Sequence, residues 1–327
     1  MINSKVPLLL AIFIYIFFYW VRWEQGGWEL KTHLLKGLRD NLDSKIAEIL
    51  PSPQAQLLSG IVLGQNKELP GQLRLALRDT STLHIVVASG QNLSMVAGFF
   101  LFFSGLIKRK TALILSFLSI VFYTLLTGAE VPILRAAIMV SAGFLAQALG
   151  REKDSIWIVI GVGALMLLIN PVWITSLSFQ LSFLATLGVV GVSPMLMSKF
   201  AKIPKFIRGD LSVSLAAQVL VLPVIAQNFH QISLVALPAN LLVLWTIPFI
   251  MIGGAILLVL AFISPTLAVI MGFLLNIILT YFIYIVNFFA GFNWAWVYIG
   301  EQVWLVWIGY YLLVAGVLKF IYDLKGR

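Results

Sequence analysis

The chain has 327 residues, of which 61% are hydrophobic and only 11% are charged, and its mean hydropathy is +1.00. A soluble domain is about 45–50% apolar and about 25% charged, so this composition excludes a soluble domain of ordinary size and indicates several membrane-spanning helices. The absence of cysteine excludes disulfides and thiolate metal sites. The three histidines, at positions 33, 84 and 230, are too far apart in sequence to form a ligand pair, so we expect no metal and no cofactor.

The first apolar run, residues 6–21, predicts a retained transmembrane helix in a segment of residues 1–23. Bulky aromatic residues fill it, and no small-residue cleavage site follows. The next segment, 24–82, is expected outside the cytoplasmic membrane. Its apolar residues recur at three- and four-residue spacing as far as residue 50, which predicts an amphipathic helix at the membrane surface or against the bundle. Two short elements, over 54–64 and 66–79, complete this segment.

Residues 80–103 form an apolar stretch that is long enough to cross a bilayer, yet its first half is polar. It carries His84, Ser89, Gln91, Asn92 and Ser94, with Gly90 among them. Polar groups in hydrocarbon need partners, and a helix that only anchors a protein would not carry so many. The stretch therefore predicts the polar lining of a structure built inside the membrane.

The remaining apolar runs predict further spans and define a transmembrane core over residues 83–327. They cover 111–127, 131–149, 156–169, 177–192, 211–226, 232–263, 267–290 and 302–320. The run 232–263 is too long for one upright span, so Pro238, Asn240 and Pro248 predict a short broken or re-entrant piece followed by a full crossing. The fold class is therefore an all-α polytopic bundle of about ten crossings of roughly 20 residues, with an extracytoplasmic amphipathic helix after the first span.

The distribution of Lys and Arg predicts the orientation of the chain. With both termini cytoplasmic, thirteen of the 22 Lys and Arg residues lie on the cytoplasmic side, and the short outer connections after residues 127, 169, 226 and 290 carry none. Much of the net charge of +9 follows from this topology, so the charge alone is weak evidence for nucleic-acid binding. The basic stretch 193–210 is interpreted as a cytoplasmic loop, with docking of a cytoplasmic ATPase or helicase as the alternative.

Several predicted spans carry polar residues that lipid would not tolerate. Glu130 and Arg135 begin one helix and are expected to pair with each other or with another helix. A single Gln or Ser in a span is explained by interhelical hydrogen bonding, whereas clustering around glycine favours a solvated pathway. The candidate pathway-lining residues are His84, Ser89, Gly90, Gln91, Asn92, Glu130, Arg135, Gln180, Ser182, Gln218 and Asn240.

Four sequence blocks resemble those of the ComEC-like competence family. They are H-I-V-V-A-S-G-Q-N at 84–92, T-G-A-E-V-P-I-L-R-A-A-I-M at 127–139, N-P at 170–171 with S-F-Q-L-S-F at 178–183, and A-A-Q-V-L-V-L-P at 216–223 with F-H-Q-I-S at 229–233 and N-L at 240–241. Their common order makes the resemblance specific. The sequence departs from it at Asn92, where the family has a second His, and at Pro132, where the family has Ser.

The resemblance implies a multi-pass protein of the bacterial cytoplasmic membrane that passes single-stranded DNA into the cell during natural transformation. The implied partners are single-stranded DNA, the lipid bilayer, and separate DNA-receptor or nuclease chains. Full-length members often carry an OB-like domain and a metallo-β-lactamase-like domain. We expect neither in these 327 residues, and therefore no nuclease activity.

Two other functions remain open from the residues. A small-molecule or ion transporter would also use polar groups and prolines near broken spans. An intramembrane hydrolase would use Ser89 as nucleophile with His84 or His230 as base. On one continuous helix, however, His84 would lie about 140° around the axis from Ser89, so the chain is not expected to be an enzyme. No phosphate-binding G-x-x-x-x-G-K-[ST] loop is present, so energy for transport would come from a partner. The oligomeric state is left open.

Overall fold

The computed structural model describes residues 5–26, 34–65, 69–86, 89–148 and 155–323, and its elements follow the apolar runs of the sequence. The helices are α1 (Lys5–Gln25), α2 (Lys36–Ile49), α3 (Gln54–Leu63), α4 (Gly71–Asp79), α5 (Leu83–Val86), α6 (Gly90–Phe102), α7 (Arg109–Leu126), α8 (Val131–Ala148), α9 (Ser155–Ile169), α10 (Leu177–Leu187), α11 (Ser193–Lys199), α12 (Lys205–Phe229), α13 (Ala236–Leu244), α14 (Ile247–Ile263), α15 (Pro265–Ala290) and α16 (Trp304–Asp323). Two short strands, β1 (Gln231–Ser233) and β2 (Trp296–Tyr298), pair with each other. The parts of the predicted elements at 27–33 and 149–154 lie outside the described residues.

Length and apolar character select the candidate membrane-spanning helices in the described part of the chain. Four qualify: α7, the continuous helix Leu177–Lys199 formed by α10 and α11, residues Ile207–Phe229 of α12, and α15. The pair α13 and α14 is bent by 43° and adds a fifth if it counts as one broken span. The predicted all-α membrane protein is confirmed, as is the break in 232–263, which falls at residues 245–246.

The stretch 80–103 is not one continuous helix, so that prediction was wrong. The short helix α5 ends at Val86 and α6 begins at Gly90. Ser89 lies just before α6 and acts as its cap, because its Oγ accepts a hydrogen bond from the backbone N–H of Asn92 at 3.4 Å. Since α6 has only 13 residues, it spans about 20 Å, less than the roughly 30 Å of a hydrocarbon core.

The predicted cytoplasmic loop 193–210 is also shorter than expected. Helix α11 continues to Lys199 and α12 begins at Lys205, so only residues 200–204 connect them. Pro204 precedes the first turn of α12, where a residue without an N–H costs the helix no hydrogen bond. At its other end α12 continues to Phe229, where an outer loop was predicted from residue 227.

The amphipathic helix predicted between the first two spans packs against the bundle. It begins at Lys36, and its apolar residues Leu42 and Ile46 are buried in the main hydrophobic cluster. At Gly272 of α15 an added Cβ would lie 2.5 Å from Cγ2 of Ile49, so the two helices approach closely. Arg39 donates from Nη1 to the backbone oxygen of Thr127 at 3.2 Å, which places a cation at the C-terminal end of α7, where the helix dipole favours it.

Two hydrophobic clusters meet at α8. The larger joins α2–α7 to α13–α15 and includes Ile133 and Ala136 of α8. The smaller lies between α9 and α10, and Leu134 and Ile138 of α8 pack against it. Because α8 faces both clusters, the intervening Arg135 is held where α6, α8 and α10 come together.

A proline in α12 is compensated by tyrosine hydroxyls from α16. Pro223 has no N–H to donate to the carbonyl of Val219, four residues earlier. The Tyr310 hydroxyl donates to that oxygen at 3.0 Å, and the Tyr311 hydroxyl donates to the oxygen of Leu220 at 2.9 Å. A free carbonyl in a membrane-spanning helix needs such a donor, so these bonds hold α16 against α12.

Tyr310→Phe is therefore expected to destabilise the protein by about 1–2 kcal/mol, because it removes the donor from the carbonyl freed by Pro223. In a Pro223→Ala background the restored N–H can serve Val219, so the same substitution should cost less. Tyr311→Phe is the matched control, since residue 224 keeps its N–H. Denaturant unfolding of the purified variants measures the coupling, and equal costs of Tyr310→Phe in both backgrounds would contradict the explanation.

Candidate functional site

The start of α6 is held by Asn92, which joins it to α3. Asn92 is 1% exposed, and its Nδ2 donates to the backbone oxygen of Ile61 at 2.9 Å. The Tyr123 hydroxyl of α7 donates to the same oxygen at 3.4 Å. Ile61 lies in the last turn of α3, where carbonyls have no partner within the helix. Asn92 and Tyr123 thus cap α3 from two other helices.

Asn92→Ala is expected to lower stability by about 1–3 kcal/mol, because a buried carbonyl loses its shorter hydrogen bond. The matched control is Ser94→Ala, two residues further along α6. Ser94 is exposed, and among the described residues its hydroxyl bonds to the oxygen of Gly90 alone, so its removal should change stability by less than about 0.5 kcal/mol. Unfolding of the two variants in detergent tests this, and equal stability of both would show that the Asn92 bond contributes nothing.

Gly90 lets the first turn of α6 approach α8. A Cβ at this position would lie 3.1 Å from Cβ of Ala136 and 3.2 Å from Nη2 of Arg135. Both distances are tighter than an ordinary van der Waals contact. Ser89 and Gly90 therefore start α6. The small size of Gly90 brings the N-terminus of α6 beside the guanidinium of Arg135.

Arg135 is the centre of the junction between α6, α8 and α10. Its Nε donates to Ser182 Oγ at 2.5 Å, and its Nη1 donates to Thr186 Oγ1 at 2.7 Å and lies 3.1 Å from Met139 Sδ. The guanidinium carbon lies 5.8 Å from the centre of the Phe183 ring. Arg135 is only 9% exposed. Hydroxyls, a thioether and a ring are neutral groups, so these contacts solvate the guanidinium without cancelling its charge.

The structure brings part of the predicted set together. Ser89, Gly90 and Asn92 lie at the start of α6, beside Arg135, which bonds Ser182. We name these five residues, with Thr186, the α6–α8–α10 junction. The sequence did not identify Thr186, although it lies four residues after Ser182, on the same face of α10.

The other predicted residues have separate surroundings. Gln91 and Glu130 are exposed, and Gln180 donates to the oxygen of Ile174 at 2.9 Å, before its own helix. Gln218 is half-buried on α12. Asn240 is buried on α13, and its Oδ1 has no hydrogen-bond partner among the described residues.

Of the three residues of the hydrolase alternative, His84 and Ser89 each have a local partner, whereas the buried Nδ1 of His230 has none among the described residues. His84 lies on α5, and its Nδ1 is 2.9 Å from the oxygen of Ser81. Ser89 lies before α6, and its hydroxyl donates to Asn92 Oδ1 at 3.1 Å. The expectation that the two residues share one helix was wrong, because Ser89 is not helical and lies just before α6.

Comparison with known proteins identifies the family to which the chain belongs. The sequence profile of the competence protein family matches residues 61–323, so the chain belongs to that family. It is similar to ComE operon protein 3 of Bacillus subtilis (strain 168), with 31% identity over 223 residues that cover 67% of this chain and 28% of that protein.

Two further relatives share similar extents of sequence. The uncharacterized protein YcaI of Escherichia coli (strain K12) is 27% identical over 215 residues, which cover 61% of this chain and 28% of that protein. An uncharacterized protein of Aquifex aeolicus (strain VF5) is 28% identical over 158 residues, covering 47% and 38%. The matched region thus spans between a quarter and two fifths of these relatives' lengths. No solved structure matches the chain significantly.

Proposed function

We propose that this chain is the membrane core of a DNA-uptake system and passes single-stranded DNA across the cytoplasmic membrane. Its membership of the competence family supports a role in DNA uptake. The observation that carries the finer proposal is Arg135, a buried cation bonded to neutral groups at the meeting point of three helices. Attraction to backbone phosphates dominates nucleic-acid binding, so a buried guanidinium whose contacts among the described residues are neutral suits a polyanion.

The predicted lining residues form this pathway in our proposal, with the α6–α8–α10 junction as its constriction. Asn92 and Arg135 are almost fully buried. A strand can therefore pass only when α6 and α10 separate from α8. The hydroxyls of Ser182 and Thr186 exchange with phosphate oxygens as acceptors for the guanidinium, which keeps Arg135 bonded in both states.

The proposed topology has about ten crossings, with both termini cytoplasmic and α2 outside. Arg22 near the end of α1 bonds to the oxygens of Leu168 and Ile169 at the end of α9, which supports exit of α1 and α9 on the same side. The bond of Arg39 to Thr127 supports placement of α2 beside the outer end of α7.

Two further contacts support the C-terminal half of this topology. Trp307 Nε1 donates to Gln227 Oε1 at 2.7 Å, so α16 begins beside the end of α12 and runs back along it. Pairing of β1 with β2 holds the ends of α12 and α15 on one side, which requires an even number of crossings between them. The bent pair α13 and α14 as one crossing and α15 as the second satisfy that requirement.

Other chains complete the system in this proposal. The sequence has no nucleotide-binding loop, so a cytoplasmic ATPase or helicase would supply energy and dock at the basic residues Lys199, Lys202, Lys205 and Arg208. Separate DNA-receptor or nuclease chains would deliver the single strand from outside.

Crosslinking during uptake tests the proposal. A photoreactive group on a single cysteine at Gln91, exposed in the first turn of α6, should form adducts with DNA while a competent cell imports it. The same group at Trp157, an exposed residue in the apolar helix α9, is the control and should crosslink to lipid. Normal import without DNA adducts at Gln91 would contradict the proposed pathway and leave the small-molecule or ion transporter as the better explanation.

A further inference from the structure

A two-stranded ribbon joins the ends of α12 and α15. Strands β1 and β2 are antiparallel, with Gln231 opposite Tyr298 and Ser233 opposite Trp296. The ribbon continues at both ends, because Ile299 N–H donates to the oxygen of His230 at 2.9 Å and Leu234 N–H donates to that of Ala295 at 2.8 Å. No strand was predicted in either segment of the ribbon.

One surface of the ribbon and its flanks is built from exposed aromatic side chains. Trp294 is 57% exposed, Tyr298 68% and Trp304 65%, and Trp296 is also exposed. The rings of Phe292 and Trp294 stack with their centres 5.0 Å apart and an interplanar angle of 13°. We name Trp294, Trp296, Tyr298 and Trp304 the aromatic face.

The two strands of the ribbon carry no formal charge, and the charged residues beside them bring no excess of positive charge, because Gln231 of β1 bonds to Asp79, which is paired with Arg78. Residues 211–300 contain no Lys, Arg, Asp or Glu, and Glu301 is the first charged residue after them. Proteins that stack single-stranded nucleic acid on aromatic rings also supply a positively charged groove for its phosphates. The aromatic face therefore lacks the charge that a DNA platform needs.

The position of the ribbon along the chain points to a lipid surface. Helix α15 has 26 apolar-rich residues, which extend about 39 Å and so pass beyond a hydrocarbon core of roughly 30 Å. The ribbon begins at the end of α15 and at the end of α12. Both helices are long and apolar enough to span a membrane. Trp and Tyr concentrate at this depth because their rings are apolar and their N–H and O–H groups find partners among headgroups.

We propose that the aromatic face lies in the interfacial layer of the bilayer, with its rings among the glycerol and carbonyl groups of the lipids. The paired strands satisfy the backbone groups that face each other, and the headgroups and water of the interfacial layer can bond to the groups at the two outer edges. The ribbon then fixes the depth of α12 and α15 together, because one interfacial anchor holds both helix ends.

The natural absence of cysteine allows a direct test on the full chain. Tyr298→Cys and Asn293→Cys, two exposed positions beside the rings, are labelled singly with an environment-sensitive fluorophore and reconstituted in phosphatidylcholine vesicles. Lys202→Cys, exposed in the connection between α11 and α12, is the matched control. Quenchers attached at shallow and deep positions of the lipid chain are compared with aqueous iodide.

The proposal predicts that the shallow quencher removes more emission than the deep quencher at both Tyr298 and Asn293, and that iodide is most effective at Lys202. Strong iodide quenching at all three positions would overturn it, because the face would then lie in water. Protection from lipid quenchers and iodide alike would also overturn it and indicate a covering protein or a second copy. A shift of emission on addition of oligothymidylate, in place of lipid quenching, would show that DNA occupies the face.

Discussion

Substitution of Arg135 by Met is expected to abolish most DNA import while reducing stability only moderately. Met retains the length of the side chain but removes the charge and both donors to Ser182 and Thr186. Stability should fall by about 1–3 kcal/mol, since two partly buried hydroxyls lose a partner. Import should fall by at least about tenfold, which corresponds to about 1.4 kcal/mol of lost interaction with the transported strand.

Two comparison variants separate charge from geometry. Arg135→Lys keeps the charge but lacks the planar fork that reaches both hydroxyls, so we expect intermediate import. Arg109→Ala removes an exposed cation at the start of α7 and should leave import unchanged. Import is measured as labelled DNA protected from external nuclease, in cells with matched amounts of the membrane protein. Wild-type import by Arg135→Met would remove Arg135 from the proposed pathway.

Gly188→Ala is expected to have the largest effect on stability in the described part of the chain. Gly188 begins the π-helical turn Gly188–Val192 between α10 and α11, and a Cβ there would lie 2.3 Å from the backbone oxygen of Ala216 on α12. That obstacle is backbone and cannot rotate away, so the two helices would have to separate. We expect a loss of about 3 kcal/mol or more, together with weakened packing of α10 on α12.

Gly191→Ala is the matched control, because it lies in the same π-helical turn but has open space around its Cβ position. It should be neutral or slightly stabilising, since alanine reduces the freedom of the unfolded chain. Thermal unfolding of both purified variants in one detergent measures the difference. A similar loss for both would mean that the turn itself is sensitive, and would contradict close approach as the cause.

Residues that start or end helices, such as Ser, Pro and Gly, made some elements predictable. Helix α15 was expected over 267–290 and occupies Pro265–Ala290, because Ser264 precedes it, Pro265 begins it and Gly291 follows it. The break between α13 and α14 was predicted from prolines that cannot continue a helix. The buried face of α4 also follows a sequence pattern, since Leu73 and Leu77 recur at four-residue spacing.

The partners of the polar residues could not be read from the sequence. Arg135 was expected to bond either Glu130 or another helix, and the structure shows bonds to α10, 47 and 51 residues away. Periodicity describes one helix at a time, so it cannot say which helices adjoin. The start of α6 could have been predicted from the sequence, because Ser89 is followed by Gly90 and, three residues after Ser89, by the amide of Asn92, a pattern that resembles a helix start.

The ribbon was not predictable for a related reason. β1 and β2 are three residues long and lie more than 60 residues apart, so neither has a pattern of its own. They pair because α12 and α15 end at the same place. The aromatic residues themselves are visible in the sequence, but the surface that they form depends on the pairing of β1 with β2.

The central claim is that this chain passes single-stranded DNA across the cytoplasmic membrane. The most direct measurement deletes its gene in a naturally competent host and compares DNA bound at the cell surface with DNA that has become nuclease-protected inside. Our account predicts unchanged binding, loss of the protected single strand, and restoration by the wild-type gene but not by Arg135→Met. Unchanged entry of the protected strand after deletion would contradict it.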